Sequence, residues 1–123
     1  MEIVEFLNED NIRNTITNPI NKEILYVIDC GATWCGPCKI FAKFYSSFVE
    51  SYPITDPVVF CKLDIDIVPD FCEVNSITNV PTILFIRDSE VIEKVIGADT
   101  NKFKNTLSKC LQQKSNQTIQ NSK

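Results

Sequence analysis

Ile24-Leu25-Tyr26-Val27-Ile28-Asp29-Cys30-Gly31-Ala32-Thr33-Trp34-Cys35-Gly36-Pro37-Cys38-Lys39-Ile40-Phe41 is the stretch on which the fold turns. From Ile24 to Cys30 it is almost continuously apolar, as a strand covered on both faces of a sheet requires. Beyond a short loop, Ile40, Phe41, Phe44, Tyr45 and Phe48 recur at helical spacing and leave Lys39, Lys43 and Ser47 for the opposite side. A helix therefore begins near Cys35, and two thiols stand three residues apart at its N-terminus. Residues at that spacing share a helix face, so the sulfurs can approach closely enough for a disulfide without reorganising the fold. The unpaired N–H groups of the first turn and the positive end of the helix dipole stabilise a thiolate at Cys35, which makes Cys35 the expected attacking nucleophile. Cys38, one turn further in, is expected to be more buried and less ionised, as suits a thiol that waits and then resolves a mixed disulfide. Pro37 limits the turn's freedom and removes no needed hydrogen bond in a first helical turn.

Reading outward from this junction, Ile3 to Leu7 predicts a short strand, and Asn8 or Asp10 caps a helix running toward Thr17 before the Asn18-Pro19 break. On the other side, Tyr52-Pro53 and Asp56-Pro57 end the central helix, and Val58 to Leu63 reads as a second buried strand. The order strand, helix, strand implies a right-handed parallel crossover. Pro69 opens a short helix through about Asn75. Pro81 to Arg87 and Glu90 to Ile96 form two strands whose short connection at Asp88-Ser89 makes them antiparallel. After Gly97, Phe103, Leu107 and Leu111 mark one face of a last helix. These elements predict an α/β domain over residues 1–113, with a mixed five-stranded sheet covered by helices on both faces. Residues 114–123 have little to bury and read as a polar, flexible tail.

Composition narrows the function. With 123 residues, 44% of them hydrophobic and 23% charged, the chain is sized and composed for one core. A net charge of -4 without a run of Lys or Arg gives no footprint for a nucleic-acid backbone or an anionic membrane surface. The absence of His removes Cys-His and Ser-His nucleophile pairs, and a single Cys-x-x-Cys pair leaves a structural zinc site short of ligands, so no metal is expected. The N-terminus is acidic and lacks the basic and apolar regions of a signal peptide, and no segment is apolar for long enough to span a bilayer. Six Cys fall at 30, 35, 38, 61, 72 and 110, mostly within apolar runs that form a core without staples. A cytoplasmic, reducing location is therefore expected. Cys30, Cys61 and Cys110 read as small hydrophobes, whereas Cys72, between Asp70 and Glu73, reads as an exposed bystander with an intermolecular disulfide as the alternative.

Two charges interrupt apolar strands: Asp29, six residues before Cys35, and Lys62, within Val58 to Leu63. Buried charge needs a reason. Paired strands place Asp29 beneath the thiols and Lys62 beside it, giving a carboxyl raised by desolvation and moderated by the ammonium. Asp29 is then the expected acceptor of the Cys38 proton, with Lys62 tuning it; a purely structural Asp-Lys pair is the alternative.

With Val27-Ile28-Asp29, Ala32-Thr33-Trp34-Cys35-Gly36-Pro37-Cys38-Lys39, Lys62-Leu63-Asp64-Ile65-Asp66, Val80-Pro81-Thr82 and Gly97 in this order, the sequence closely resembles the thioredoxin family over nearly everything before Lys114. The resemblance implies the thioredoxin fold and a protein-disulfide reductase that cycles a Cys35–Cys38 dithiol/disulfide in electron transport and cell redox homeostasis. It implies no bound cofactor, with electrons drawn from NADPH through a flavoprotein thioredoxin reductase at a potential near the family's value of about -270 mV. Implied targets include peroxiredoxins, ribonucleotide reductase and methionine sulfoxide reductases, met by a monomer. By the same resemblance Pro81 is a cis-proline facing the disulfide, and the backbone of Val80 binds an extended substrate segment as an added strand. Trp34, Gly36, Pro37, Val80 and Pro81 together make the docking surface. The sequence departs from the family pattern at Gly31, where a larger side chain is common, at Lys43, where a proline often kinks the helix, and at Asn79. The first is expected to widen the groove and the second to let the helix run straighter.

Overall fold

The computed structural model describes residues 1–121, and residues 114–121 by their backbone alone. The first half contains β1 (Val4–Glu5), α1 (Glu9–Ile16), β2 (Leu25–Gly31) and α2 (Gly36–Glu50). It is followed by β3 (Val58–Asp64), α3 (Pro69–Val74), β4 (Thr82–Arg87), β5 (Glu90–Ile96) and α4 (Thr100–Asn121). β2 is buried from Leu25 to Cys30 because it lies at the centre, parallel to β3 and antiparallel to β4. The full order is β1-β3-β2-β4-β5, with β1 parallel to β3 and β5 antiparallel to β4. This is the mixed five-stranded sheet that the sequence predicts.

Alternation along the central strands feeds two separate cores, one on each face. Val27 and its partner Phe85, with Phe60, pack against Phe41, Tyr45 and Val49 of α2 and Phe103 and Leu107 of α4. Ile28 and its partner Leu84, with Cys30 and Ile86, pack against Phe6, Ile12 of α1 and Val68. The first core is aromatic: the Phe103 ring lies 5.4–5.9 Å from those of Phe41, Phe44, Tyr45, Phe48 and Phe85, several of them edge to face. Asn8 caps α1 by accepting the Asn11 N–H at 2.7 Å. α2 runs unbroken through the exposed Lys43, as expected of a helix that keeps its N–H at that position.

One expectation is corrected at the start of the chain. β1 is confined to Val4–Glu5, because Phe6 turns its ring into the core and Leu7 already stands 65% exposed. α4 runs from Thr100 to Asn121, and no Gly or Pro interrupts residues 100–121. The remainder of the expected tail, residues 122–123, lies outside the described residues.

One polar group ties the layers together. The buried Tyr45 hydroxyl on α2 sits 3.0 Å from the Val27 carbonyl of β2 and 2.9 Å from the Cys61 carbonyl of β3, and donates to this carbonyl pair across the seam of the two parallel strands. Tyr45→Phe removes that donor without changing the packing, and is expected to cost about 1–2 kcal/mol. Urea unfolding should register this as a lower midpoint at unchanged slope.

Candidate active site

The site forms where β2 ends and α2 begins. β2 delivers Asp29 and Gly31 to the sheet's carboxyl edge, and Ala32 to Trp34 turn the chain so that Cys35 becomes the N-cap of α2 with extended backbone (φ -98°, ψ 114°). Its sulfur accepts the backbone N–H of Cys38 at 3.2 Å, so one of the helix's unpaired first-turn donors is spent on the sulfur. Cys35 and Cys38 are joined as a disulfide with their Cα atoms 5.3 Å apart. Gly36 and Pro37 complete an exposed first turn over the bridge.

A second loop faces the pair. The Val80–Pro81 peptide is cis, and the Val80 carbonyl oxygen lies 3.7 Å from Cys35 Sγ. Two hydrogen bonds hold this loop. The Gly97 N–H donates to the Pro81 carbonyl at 2.8 Å, and the Thr82 hydroxyl donates to the Asn79 carbonyl at 2.6 Å. Gly97 has φ +94°, a conformation that favours glycine, which gives physical meaning to a residue the sequence marks only by its position. Ala32, Cys35 and Cys38 form a small apolar cluster with Ile65 and Val80 packed against it.

Trp34 precedes Cys35 in the chain and is 66% exposed, so it presents a broad apolar surface at the active-site turn. Its indole N–H donates to Asp66 at 3.0 Å, which fixes the ring from the turn after β3. Asp66 therefore belongs to the site, although the sequence offers only its place in the Lys62–Asp66 motif. The expectation that Cys38 is the more buried thiol is also corrected: Cys35 is 6% exposed and Cys38 7%. The two differ in their polar surroundings, since Cys35 alone sits at the N-cap and takes the amide.

Asp29 is 8% exposed, and its Oδ1 has no hydrogen-bond partner among the described residues. Burial pushes its pKa from an ordinary 3.8 up to about 7, and the Lys62 ammonium draws it only partly back. The two residues are paired in register between β2 and β3, as the sequence predicts. Lys62 is nevertheless exposed, and among the described residues the ion pairs are Arg13–Asp10 and Lys109–Glu93. Only the two-residue β1 lies beyond β3, so α2 leaves Lys62 at the rim of an open cavity instead of enclosing it as a buried partner. That cavity, of about 290 Å³, is also lined by Asp29, Gly31 and Cys38.

The other cysteines are held neutral. Cys30, Cys61 and Cys110 are fully buried, and burial pushes Cys30 well above the ordinary thiol value, Cys61 to about 12 and Cys110 to about 11. Cys72 is half-buried, its sulfur 3.8 Å from the Ile65 carbonyl, and is raised by burial and then by the charges of Glu9, Asp66 and Asp64. It is thus neither fully exposed nor poised as a thiolate.

A helix-capping dithiol, a cis-proline loop against it and a buried carboxyl beneath it coincide with a sequence profile, that of thioredoxin, which matches residues 3–109. The chain belongs to the thioredoxin family. It is 38% identical to Thioredoxin-1 of Saccharomyces cerevisiae over 88 residues, covering 72% of this chain and 82% of that protein. The solved structure of reduced Schistosoma mansoni thioredoxin superposes with a TM-score of 0.78 at 28% identity, covering 89% of this chain and 98% of that one. A structure concerning the thiol resolving mechanism in yeast mitochondrial 1-Cys peroxiredoxin via glutathione/thioredoxin systems contains a chain that matches with a TM-score of 0.74 at 31% identity, covering 87% and 94%. As a thioredoxin, the protein is a thiol-disulfide reductase whose redox group is the Cys35–Cys38 pair. Thioredoxins bind no cofactor, and NADPH supplies electrons upstream through a reductase.

The raised carboxyl links pH to stability in a defined direction. A folded pKa above the unfolded one means that the contribution is fully present below about pH 4 and is lost as pH rises toward and through about 7. Asp29→Asn is expected to flatten that loss and to stabilise the oxidised protein at pH 8 by on the order of 2–4 kcal/mol. Denaturant unfolding at pH 4, 6 and 8 measures it.

Proposed function

We propose that Cys35 is the nucleophile and Cys38 the resolving thiol of this thioredoxin. The observation that carries the assignment is the N-cap position of Cys35, whose sulfur takes the Cys38 N–H at the positive end of α2. In the reduced protein the same amide and helix end stabilise a thiolate. Cys35 attacks a target disulfide, one target sulfur leaves as a thiol, and a mixed disulfide remains. Cys38 then attacks the Cys35 sulfur, forming the Cys35–Cys38 bond and releasing the second target sulfur, so two electrons pass to the target and each departing target thiolate takes up a proton from solvent. Asp29 accepts the Cys38 proton, its buried carboxyl being matched to neutral pH, and Lys62 tunes it through space.

The docking surface consists of Trp34, Gly36, Pro37, Val80 and Pro81. The exposed indole and first turn support this reading on one side of the disulfide, and the cis peptide with its carbonyl near Cys35 supports it on the other. An extended target segment pairs with the Val80 backbone, because Pro81 brings no N–H to compete for it. The functional unit is residues 1–113, a reading supported by the family match, which ends at residue 109, and by Leu111 of α4, which packs on the core.

The partners we assign are a thioredoxin reductase and disulfide-bearing proteins such as peroxiredoxins, ribonucleotide reductase and methionine sulfoxide reductases. The peroxiredoxin named with the yeast neighbour supports the first of these target classes. The protein acts in the cytoplasm as a monomeric electron carrier. Its net charge of -4 is compatible with that setting, and no helix among the described residues is long and apolar enough to cross a membrane.

Incubated with a disulfide-bonded target, Cys38→Ser should accumulate the mixed disulfide through Cys35, and Cys35→Ser should form none; mass spectrometry of the adducts reads both. Stopped-flow analysis of Asp29→Asn should find release of the second target thiol slowed more than the first attack, and equal slowing of both steps removes the proton-acceptor role. Equilibration with defined thiol buffers, read by Trp34 fluorescence, should return a potential near about -270 mV, whereas a value above about -200 mV marks an oxidant or isomerase.

A further inference from the structure

Gly31 is the last residue of β2 and the point at which the backbone passes between the disulfide and the buried carboxyl. A Cβ built on it meets Cys38 Sγ and Cβ at 3.5 Å and Asp29 Oδ1 at 3.9 Å, all ordinary contact distances. Its φ is not positive, so neither backbone strain nor lack of space for a Cβ accounts for glycine here. The absent side chain has a different consequence. Gly31 lines the cavity of about 290 Å³ shared by Asp29 and Cys38, and any side chain attached there lies directly against both.

We infer that Gly31 is a positioning residue that keeps the buried Asp29–Cys38 pair open to solvent through this cavity, giving the proton exchanged there a direct exit. The inference rests on the reading of Asp29 as proton acceptor for its effect on rate, and on geometry alone for solvent access. In the resolving step the Cys38 sulfur bonds to Cys35, the Cys35 bond to the target sulfur breaks, and the departing target thiolate takes up a proton. The proton given up by Cys38 passes to Asp29 and then leaves through the opening beside Gly31. The charges around that opening are Glu5 of β1, Lys39 of α2, and Lys62 and Asp64 of β3, so its walls are mixed in sign. Across β4 the carboxyl is paired only with the apolar Ile83. Asp29 Oδ1 is itself buried and has no hydrogen-bond partner among the described residues, so an apolar side chain at position 31 removes no partner and instead closes the cavity through which Asp29 keeps its remaining 8% exposure.

The test places Ala and Leu at this position. The Asp29 carboxyl is titrated in the oxidised protein by isotope-edited infrared spectroscopy, and release of the mixed disulfide is followed between pH 5 and 9. Gly31→Leu should move the Asp29 midpoint upward by about one pH unit, which is about a tenfold smaller ionised fraction below the midpoint. Gly31→Ala should move it less in the same direction. Release should slow in proportion below neutral pH, and the effect should vanish in an Asp29→Asn background, where the two substitutions no longer add. An unchanged Asp29 midpoint in Gly31→Leu overturns the inference. Should that variant fail to fold, Gly31→Ala, whose Cβ stands at ordinary contact distance, decides in the same way. A shifted midpoint with unaltered release supports the solvent-gating role of Gly31 and instead overturns Asp29 as the proton acceptor.

Discussion

The hydrogen bond from the Cys38 amide to the Cys35 sulfur is the contact around which the rest is arranged. It exists only because a strand buried on both faces ends in a loop short enough to deliver Cys35 as the first cap of the following helix. That delivery depends in turn on α2 being fixed against the sheet. Phe41, Tyr45 and Val49 supply the apolar stripe, the Phe103 ring packs against Phe41 and Tyr45 from α4, and the Tyr45 hydroxyl locates the helix on the β2–β3 seam. The chemistry sits at the carboxyl ends of parallel strands β2 and β3, where a doubly covered sheet leaves backbone and side chains accessible. Packing far from the sulfurs thus decides the direction in which their helix points.

As the proposed proton acceptor, Asp29 sets function against stability. An ionised carboxyl with an unpartnered buried oxygen weakens the fold near neutral pH, and an amide at the same place relieves that penalty. Its retention beneath a dithiol is the pattern in which local destabilisation accompanies a matched proton affinity. Lys62 offsets the penalty from a distance: paired in register but exposed, it lowers the carboxyl's pKa without closing an ion pair. A direct contact would hold Asp29 ionised well below neutral pH and remove its capacity to exchange a proton there.

Most of this architecture was legible because it follows from periodicity. The continuous apolar run at β2, the helical stripe of α2 and the short β4–β5 connection each specify an element with little ambiguity, and the spacing of Cys35 and Cys38 locates the sulfurs on one turn. The cis peptide at Val80–Pro81 was reachable through family resemblance, since no local pattern in Asn79-Val80-Pro81-Thr82 distinguishes it from a trans turn. Lateral contacts were harder. That Lys62 is exposed depends on how little of β1 lies beyond β3, and that Asp66 holds Trp34 depends on a turn more than thirty residues away in sequence. The near-equal burial of the two active-site cysteines was hidden because helix position predicts electrostatics better than exposure. Gly31 was recognisable as a departure from the family, but its meaning required the positions of Cys38 and Asp29 around it.

Six thiols in 123 residues present a problem of selectivity that the fold resolves by electrostatics. Disulfide exchange proceeds through the thiolate, so a cysteine is silent wherever ionisation is disfavoured. Cys30, Cys61 and Cys110 are silenced by burial within the two cores. Cys72 has no such depth, and the acidic residues around α3, with Glu9 reaching across to bond the Asp70 and Phe71 amides at that helix's N-terminus, add negative charge to partial burial. Glu9 thereby occupies at α3 the donors that at α2 are left for a sulfur. The two helix starts are chemically alike, but a carboxylate caps one and a cysteine the other, and thiol reactivity is confined to α2.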